Sequence, residues 1–128
     1  MGGLYLMINP YEQYRQNTVM LSSPEKLVLM VYDGLIRFIK AAKLAIEEKD
    51  IESANTNIGK AQDIITELAG SLDPDIAISD HLASLYDYFF HRLVEANLNK
   101  DVAILEEMEG LAVELRDTWK EAISMQKA

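Results

Sequence analysis

The 128-residue chain has no cysteine, little positive charge and no long apolar run. The absence of cysteine excludes a disulfide framework, a thiolate nucleophile and a cysteine-ligated metal, and it makes the cytosol the expected compartment. Acidic residues outnumber basic ones by 21 to 12, and the formal net charge of −9 disfavours nucleic acid and anionic membrane surfaces as partners. No uncharged apolar stretch approaches the ~20 residues of a transmembrane helix, and the N-terminus lacks the features of a signal peptide.

Catalytic and metal-binding motifs are missing as well. A di-iron helical bundle requires Glu-x-x-His pairs, but the residues three positions before His81 and His91 are Ile78 and Tyr88. The sequence contains no phosphate-binding glycine loop, no nucleophile elbow and no His-Glu-x-x-His motif. The acidic turn at 73–80 lacks the glycine and final glutamate of a calcium loop. We therefore expect no catalytic residue, no metal site and no cofactor, and an enzyme is not predicted.

Four segments carry apolar residues with the 3.6-residue period of an amphipathic helix. Pro24 is expected in the first turn of the first helix, and Asp50 and Asp101 are expected to cap the second and fourth. Gly34 lies at the edge of the first apolar arc, where we expect a neighbouring group to approach closely. The helices are predicted at 24–48, 51–71, 76–98 and 102–124. With short connections they pack most simply as an all-α, antiparallel up-down four-helix bundle.

The part of the chain before the bundle divides into two pieces. Residues 1–6 (MGGLYL) look like a remnant of an expression vector, with Met7 as the expected native start. Residues 7–21 are predicted to be a short N-terminal helical arm that is too short to be stable alone, so it either docks on the body or is disordered when free. Residues 22–128 are the single bundle domain.

The first and third predicted helices are more apolar than one buried face requires. In the first, Leu29, Met30 and Ile36 fall among the charged residues opposite the main apolar arc. In the third, Phe90 and Val94 line a second apolar stripe. A helix that is apolar nearly all round is usually buried on several sides. Two interpretations therefore stay open, a central helix with three neighbours or an apolar surface kept for a partner.

Several blocks of sequence resemble the FliS family of flagellin export chaperones. They are Tyr11-Glu-Gln-Tyr, Ser23-Pro-Glu-Lys-Leu, Leu29-Met-Val-Tyr-Asp-Gly-Leu-Ile-Arg-Phe, Lys60-Ala-Gln-Asp-Ile-Ile, Leu85-Tyr-Asp-Tyr, Arg92-Leu-Val-Glu-Ala-Asn and Leu115-Arg-Asp-Thr-Trp. The resemblance covers roughly residues 8 to 123. The block that begins at Ser23 is specific in combination with the Tyr-Asp-Gly that follows it.

The resemblance implies a bacterial, cytoplasmic, non-catalytic bundle that binds the C-terminal segment of newly made flagellin. It would prevent premature polymerisation and deliver flagellin to the flagellar type III secretion apparatus. It also implies that the arm carries residues of the binding groove, so that Ile8, Tyr11 and Tyr14 are candidates for a movable cover. Further partners associated with the family are an export-gate component, an anti-sigma factor and the assembly factor FliW.

A disordered partner segment must offset its own ordering cost, so it needs a long hydrophobic track. The outer faces of the first and third helices are the predicted track, formed by Leu29, Met30, Ile36, Phe90 and Val94. An aspartate at position 36 or 90 is then expected to weaken flagellin binding with little effect on stability. The alternative is a structural bundle that forms homodimers through the same apolar surface, because an isologous interface produces the same stripes.

Overall fold

A computed structural model of the chain describes residues 24–127. The predicted vector remnant at 1–6 and the arm at 7–21, with Ile8, Tyr11 and Tyr14, lie outside the described residues. Within them the chain forms four α-helices and no strand. The helices are α1 (Pro24–Glu47), α2 (Ile51–Gly70), α3 (Ser79–Asn99) and α4 (Val102–Lys127). The all-α prediction is confirmed, although α3 begins three residues later than its apolar period indicates.

The two short connections end one helix and start the next in the same way. Lys49 and Lys100 adopt positive φ angles of 63° and 49°, the left-handed conformation that commonly ends a helix. The aspartate that follows each lysine caps the next helix. Asp50 Oδ1 accepts the N–H of Ser53 at 3.1 Å, and Asp101 Oδ1 accepts two amides in the first turn of α4 at 2.9 and 3.3 Å. Both predicted caps are confirmed.

The longer connection, residues 71–78, delays the start of α3. Asp73 Oδ1 accepts the N–H of Asp75 at 2.9 Å, and the buried Ser79 hydroxyl donates to the Asp73 carbonyl at 2.5 Å. These side-chain bonds favour turns over helix. As a consequence Ile76 and Ile78 precede the helix and stay more than half exposed, at 53% and 56%.

The helices form an antiparallel bundle in which α1 and α3 occupy diagonal corners. Each of these two helices packs against both α2 and α4, and the α3–α4 interface is the least extensive of the four. Large, fully buried side chains from all four helices fill the interior. They are Leu35, Ile39, Ile58, Ile64, Ile65, Phe89, Leu93, Leu105 and Met108. The predicted up-down bundle is confirmed.

Ile36 is buried, so the prediction that it lies on an outer face is wrong. Its side chain is only 5% exposed and belongs to the core. At ~100° per residue, Ile36 projects between Asp33 and Lys43 on the circumference of α1. Both of these neighbours bond to α4, since Arg116 donates to Asp33 at 3.1 Å and Lys43 donates to Glu109 at 2.9 Å. The excess apolar surface of α1 here faces a second helix of the same bundle.

Gly34 does not mark an unusually close approach, contrary to the sequence prediction. A Cβ atom built at this position would lie 3.7 Å from Cδ1 of Ile64 on α2, which is ordinary van der Waals contact. On the same flank of α1, the Lys60 ammonium lies 5.4 Å from the ring centroid of Phe38, within cation–π range. Helix α2 therefore packs on α1 at a normal distance, with room for a methyl group at Gly34.

Candidate functional site

A cavity of about 620 Å³ opens at the end of the bundle where α1 begins. The last turn of α2, the 71–78 connection, the first two turns of α3 and the C-terminal half of α4 enclose the rest of it. Its size falls within the range of ligand pockets, and most of its lining is apolar. Val28, Leu82, Leu115 and Trp119 are examples from three of the four helices.

The rim of the cavity exposes large apolar side chains to solvent. Ile76 and Ile78 line it, and the turns around Asp73 hold both residues outside α3. At about 25 cal/mol per Å² of apolar surface, covering two isoleucines that are more than half exposed is favourable. The cavity is therefore a place where a polypeptide with apolar side chains gains binding energy.

Trp119 ties α4 to the beginning of α1 beside the cavity. Its indole N–H donates to the main-chain carbonyl of Glu25 at 3.0 Å. Trp119 also lines the cavity and is 37% exposed. The same bond holds the first turn of α1 against α4 beside the opening.

Two tyrosines provide a polar group inside the cavity. The hydroxyls of Tyr32 on α1 and Tyr86 on α3 lie 2.7 Å apart, and both buried residues line the cavity. Burial raises the pKa of Tyr32, and the hydrogen bond to Tyr86 raises it further. Burial also raises the pKa of Tyr86, a direction that its hydrogen bond with Tyr32 opposes without reversing. Both phenols are therefore protonated at neutral pH.

A second, smaller groove of about 250 Å³ lies between α1 and α4. It is lined by Leu29 and Asp33 of α1 and by Arg116 and Lys120 of α4. The Asp33–Arg116 ion pair closes part of it, and it raises the pKa of the Arg116 guanidinium. Leu29 is half-buried in this polar setting, so the groove offers one apolar contact beside charged groups.

A hydrogen-bonded network outside the cavity holds α3 to α4. Tyr88 donates to one carboxylate oxygen of Glu107 at 2.5 Å, and Arg92 donates to the other at 2.6 Å. The hydrogen bond from Tyr88 makes the largest contribution to lowering the pKa of Glu107, and the hydrogen bond from Arg92 lowers it further. Arg92 also donates to Glu95 at 2.8 Å. Tyr88, Glu95 and Glu107 are exposed, whereas Arg92 is half-buried and its Nε atom is buried without a hydrogen-bond partner. The network links α3 to α4.

The structure does not bring the five described candidate residues together as one surface. Leu29 lines the small groove, Met30 is half-buried on α1, and Ile36 is core. Phe90 and Val94 are half-buried on α3, at the diagonal corner, and Phe90 packs against the core. A track that uses the outer faces of both helices has to cross α2 or α4. Whether Leu29, Met30, Phe90 and Val94 contact flagellin stays a prediction.

Sequence reasoning missed the residues that line the large cavity. The predicted third helix, 76–98, includes Ile78, which the structure leaves outside α3. One signal was available, because Asp73-Pro74 is incompatible with a helix and Ser79 is suited to bond back to it. That combination indicates a longer turn, with the apolar residues at its end left outside the bundle.

Two further observations bear on the kind of site present. Within residues 24–127, no three His, Cys, Asp or Glu side chains lie close enough to hold a metal ion. None of the four described helices is both long and apolar enough to cross a membrane.

Comparisons with known protein families and sequences point to a single family. The profile of the family described as "Flagellar protein FliS" matches residues 7–126. The chain is 44% identical to the flagellar secretion chaperone FliS of Bacillus subtilis over 93% of this chain and 90% of the relative. It is 35% identical to the FliS of Salmonella typhimurium over 83% and 81%.

A solved structure shares the fold. A protein described as a flagellar chaperone from bacteria superposes with a TM-score of 0.75 at 22% sequence identity, covering 91% of this chain and 97% of the other. The fold therefore rests on this structural likeness and the family on the sequence matches. With the profile spanning nearly the whole chain, and with relatives above 30% identity over most of their length, this protein belongs to the flagellar protein FliS family.

Proposed function

We propose that this protein is a cytoplasmic export chaperone that binds the C-terminal segment of flagellin. It keeps flagellin from polymerising and delivers it to the flagellar type III secretion apparatus. The observation that carries the proposal is the apolar cavity at one end of the bundle, with Ile76 and Ile78 exposed at its rim. Relatives from several bacteria are named flagellar secretion chaperones, which supports the same function.

The mechanism requires burial and no bond-making chemistry. A segment that is disordered when free must bury enough apolar surface to offset its ordering cost. The cavity offers apolar side chains from all four helices at one opening, so apolar residues of the flagellin segment can insert there. Once covered, these residues are withheld from contacts with other flagellin molecules. Catalysis forms no part of the proposal.

The arm at 7–21 completes the proposed site. The chain enters α1 at Pro24, and the carbonyl of Glu25 bonds to Trp119 on the cavity wall. The start of α1 therefore lies beside the opening. We propose that Ile8, Tyr11 and Tyr14 cover the cavity in the free chaperone and that flagellin displaces them.

Co-purification tests the function directly. The chaperone is expected to retain intact flagellin and to lose flagellin that lacks its C-terminal segment. Equal retention of the two forms, or retention of neither, would contradict the proposal. Binding to an export-gate component, an anti-sigma factor or FliW is expected from the family resemblance and needs separate capture experiments with each purified protein.

Homodimer formation is the second candidate. Leu44, Ile51 and Leu98 are exposed by 54%, 49% and 79%, and they lie toward the bundle end opposite the cavity. A second copy of the chain could cover such side chains. Light scattering distinguishes the two candidates. A dimer whose mass does not change on dilution or on addition of flagellin favours oligomerisation as the role of the apolar surface. A monomer that forms a complex with flagellin favours the chaperone.

A further inference from the structure

The Tyr32–Tyr86 pair has one more hydroxyl proton than its mutual hydrogen bond uses. Two protonated phenols carry two O–H donors, and the 2.7 Å contact consumes one of them. Among the residues that the structure describes, neither oxygen makes a second hydrogen bond. An unused donor in a buried position carries a desolvation cost, and buried donors are nearly always paired.

The position of the pair connects this donor to the cavity. Tyr32 and Tyr86 come from the diagonal helices α1 and α3, are 5% and 4% exposed, and both line the cavity wall. The hydroxyl of Ser79, also on the wall, already donates to the Asp73 carbonyl. Glu114 and Thr118 on the α4 side are exposed. Among the described residues, the tyrosine pair is therefore the buried polar feature of the cavity wall that keeps an unused donor.

We propose that the Tyr32–Tyr86 pair is a specificity element that donates a hydrogen bond to a main-chain carbonyl of the bound flagellin segment. This inference rests on the proposed function, since it takes a polypeptide as the occupant of the cavity. One phenol donates to the other, and the second phenol donates to the incoming carbonyl. Both donors are then satisfied when the cavity is filled.

The chemistry of the donor restricts which part of a polypeptide fits. Main-chain carbonyls in the middle of a helix are already bonded to amides, whereas the last four carbonyls of a helix are not. Carbonyls of an extended piece are free as well. The pair therefore selects a segment that places a helix end or an extended piece in the cavity, with apolar side chains on either side of it. A continuous helix laid across the opening presents only carbonyls that already accept an amide N–H, so it is a poorer partner for this donor.

The test replaces both hydroxyls without changing the shape of the cavity. The full chain carrying Tyr32→Phe and Tyr86→Phe is titrated calorimetrically at 25 °C with a peptide of the flagellin C-terminal segment. Loss of one neutral hydrogen bond is expected to raise Kd about 3- to 10-fold. The melting temperature is expected to change little, because replacing both partners of a buried bond by apolar groups is nearly neutral.

Two controls make the result specific. Tyr88→Phe removes a phenol from α3 that bonds to Glu107 outside the cavity, so its peptide affinity is expected to equal that of the wild type. Each single cavity variant, Tyr32→Phe or Tyr86→Phe, keeps one hydroxyl. The single variant with the greater loss of affinity identifies the hydroxyl that reaches the peptide.

The outcomes separate this inference from the proposed function. If the double variant binds within twofold of the wild type, the inference is overturned, and an equal loss in Tyr88→Phe overturns it as well. The chaperone proposal survives either result as long as the rim variant Ile78→Asp weakens binding. If the wild-type chain does not bind the peptide at all, the proposed function itself fails. All titrations are run well below the melting midpoint, so that a moderately lower melting temperature does not by itself reduce affinity.

Discussion

Trp119 on α4 donates its indole N–H to the carbonyl of Glu25 at 3.0 Å, which joins the C-terminal half of α4 to the first turn of α1 beside the cavity. Trp119→Phe keeps most of the ring and removes the donor. Because the side chain is 37% exposed, we expect a loss of only about 0.5–1 kcal/mol in the free energy of unfolding, measured in urea. Lys120→Ala, at the next position on α4, is the control and is expected to stay within about 0.5 kcal/mol of the wild type. An unchanged unfolding midpoint in Trp119→Phe would mean that the bond contributes nothing.

The rim of the cavity can be tested with a matched pair of isoleucines. Ile78 and Ile51 have similar exposure, 56% and 49%, and each lies at the N-terminal end of a helix, but at opposite ends of the bundle. Ile78→Asp is expected to weaken flagellin binding about 10-fold or more, because one apolar contact is lost and a charge is added. Ile51→Asp is expected to leave the affinity unchanged.

Neither substitution is expected to lower stability, since an acidic residue near a helix N-terminus is favourable by about 0.3–1 kcal/mol. The measurements are peptide titration and thermal melting of both variants beside the wild type. If Ile78→Asp and Ile51→Asp bind the peptide with equal affinity, the cavity is not part of the flagellin site. If only Ile51→Asp binds the peptide more weakly than the wild type, the flagellin site lies at the end of the bundle opposite the cavity.

Because Ile36 is buried, its substitution is expected to lower stability, whereas the sequence predicted an effect on flagellin binding alone. Ile36→Asp places a charge in the apolar core, and we expect a loss of about 3 kcal/mol or more in the free energy of unfolding. Leu44→Asp on the same helix is the control, because Leu44 is 54% exposed and a change within about 1 kcal/mol is expected there. Denaturant unfolding of both variants decides. If Ile36→Asp is as stable as the wild type, the assignment of Ile36 to the core is contradicted.

This reversal shows what the periodicity of one helix can and cannot determine. The apolar spacing and the Asp50 and Asp101 caps are local properties, so they predicted the helices and most of their ends correctly. The number of neighbours that a helix has is a tertiary property. Ile36 lies among charged residues in projection, yet Asp33 and Lys43 beside it reach across to α4.

The candidate site was harder to predict for the same reason. Tyr32 and Tyr86 lie on the first and third predicted helices, but the contact between their hydroxyls depends on the register of two helices that are diagonal in the bundle. The cavity depends on where α3 begins, and the bond from Ser79 to Asp73 sets that point. No periodic pattern carries either piece of information.

The Tyr88–Arg92–Glu107 network predicts a pH dependence of stability. The pKa of Glu107 is lower in the folded state than its ordinary value of 4.5. A carboxylate with a lowered folded pKa stabilises the protein above its unfolded pKa, and this contribution is lost as pH falls through the folded value. Glu107→Gln is therefore expected to unfold at a lower urea concentration than the wild type at pH 7, with the two midpoints converging in acid.

Glu121→Gln, an exposed position on the same helix, is the control for this comparison. Its unfolding midpoint is expected to follow that of the wild type across the pH range. A Glu107→Gln midpoint that stays below the wild type at the lowest pH would show that the loss comes from altered packing and not from the charge.

The arm is best tested in the full chain, by removing the aromatic rings and leaving its length unchanged. If Tyr11 and Tyr14 cover the cavity, Tyr11→Ser with Tyr14→Ser is expected to speed flagellin association, because the cover no longer competes for the apolar wall. Stopped-flow mixing with a labelled C-terminal peptide measures the rate. Arg15→Ser is the control, since it changes the arm without removing a ring. Slower association or weaker binding by the double variant would make the tyrosines part of the flagellin contact and would refute the idea of a cover that must be displaced.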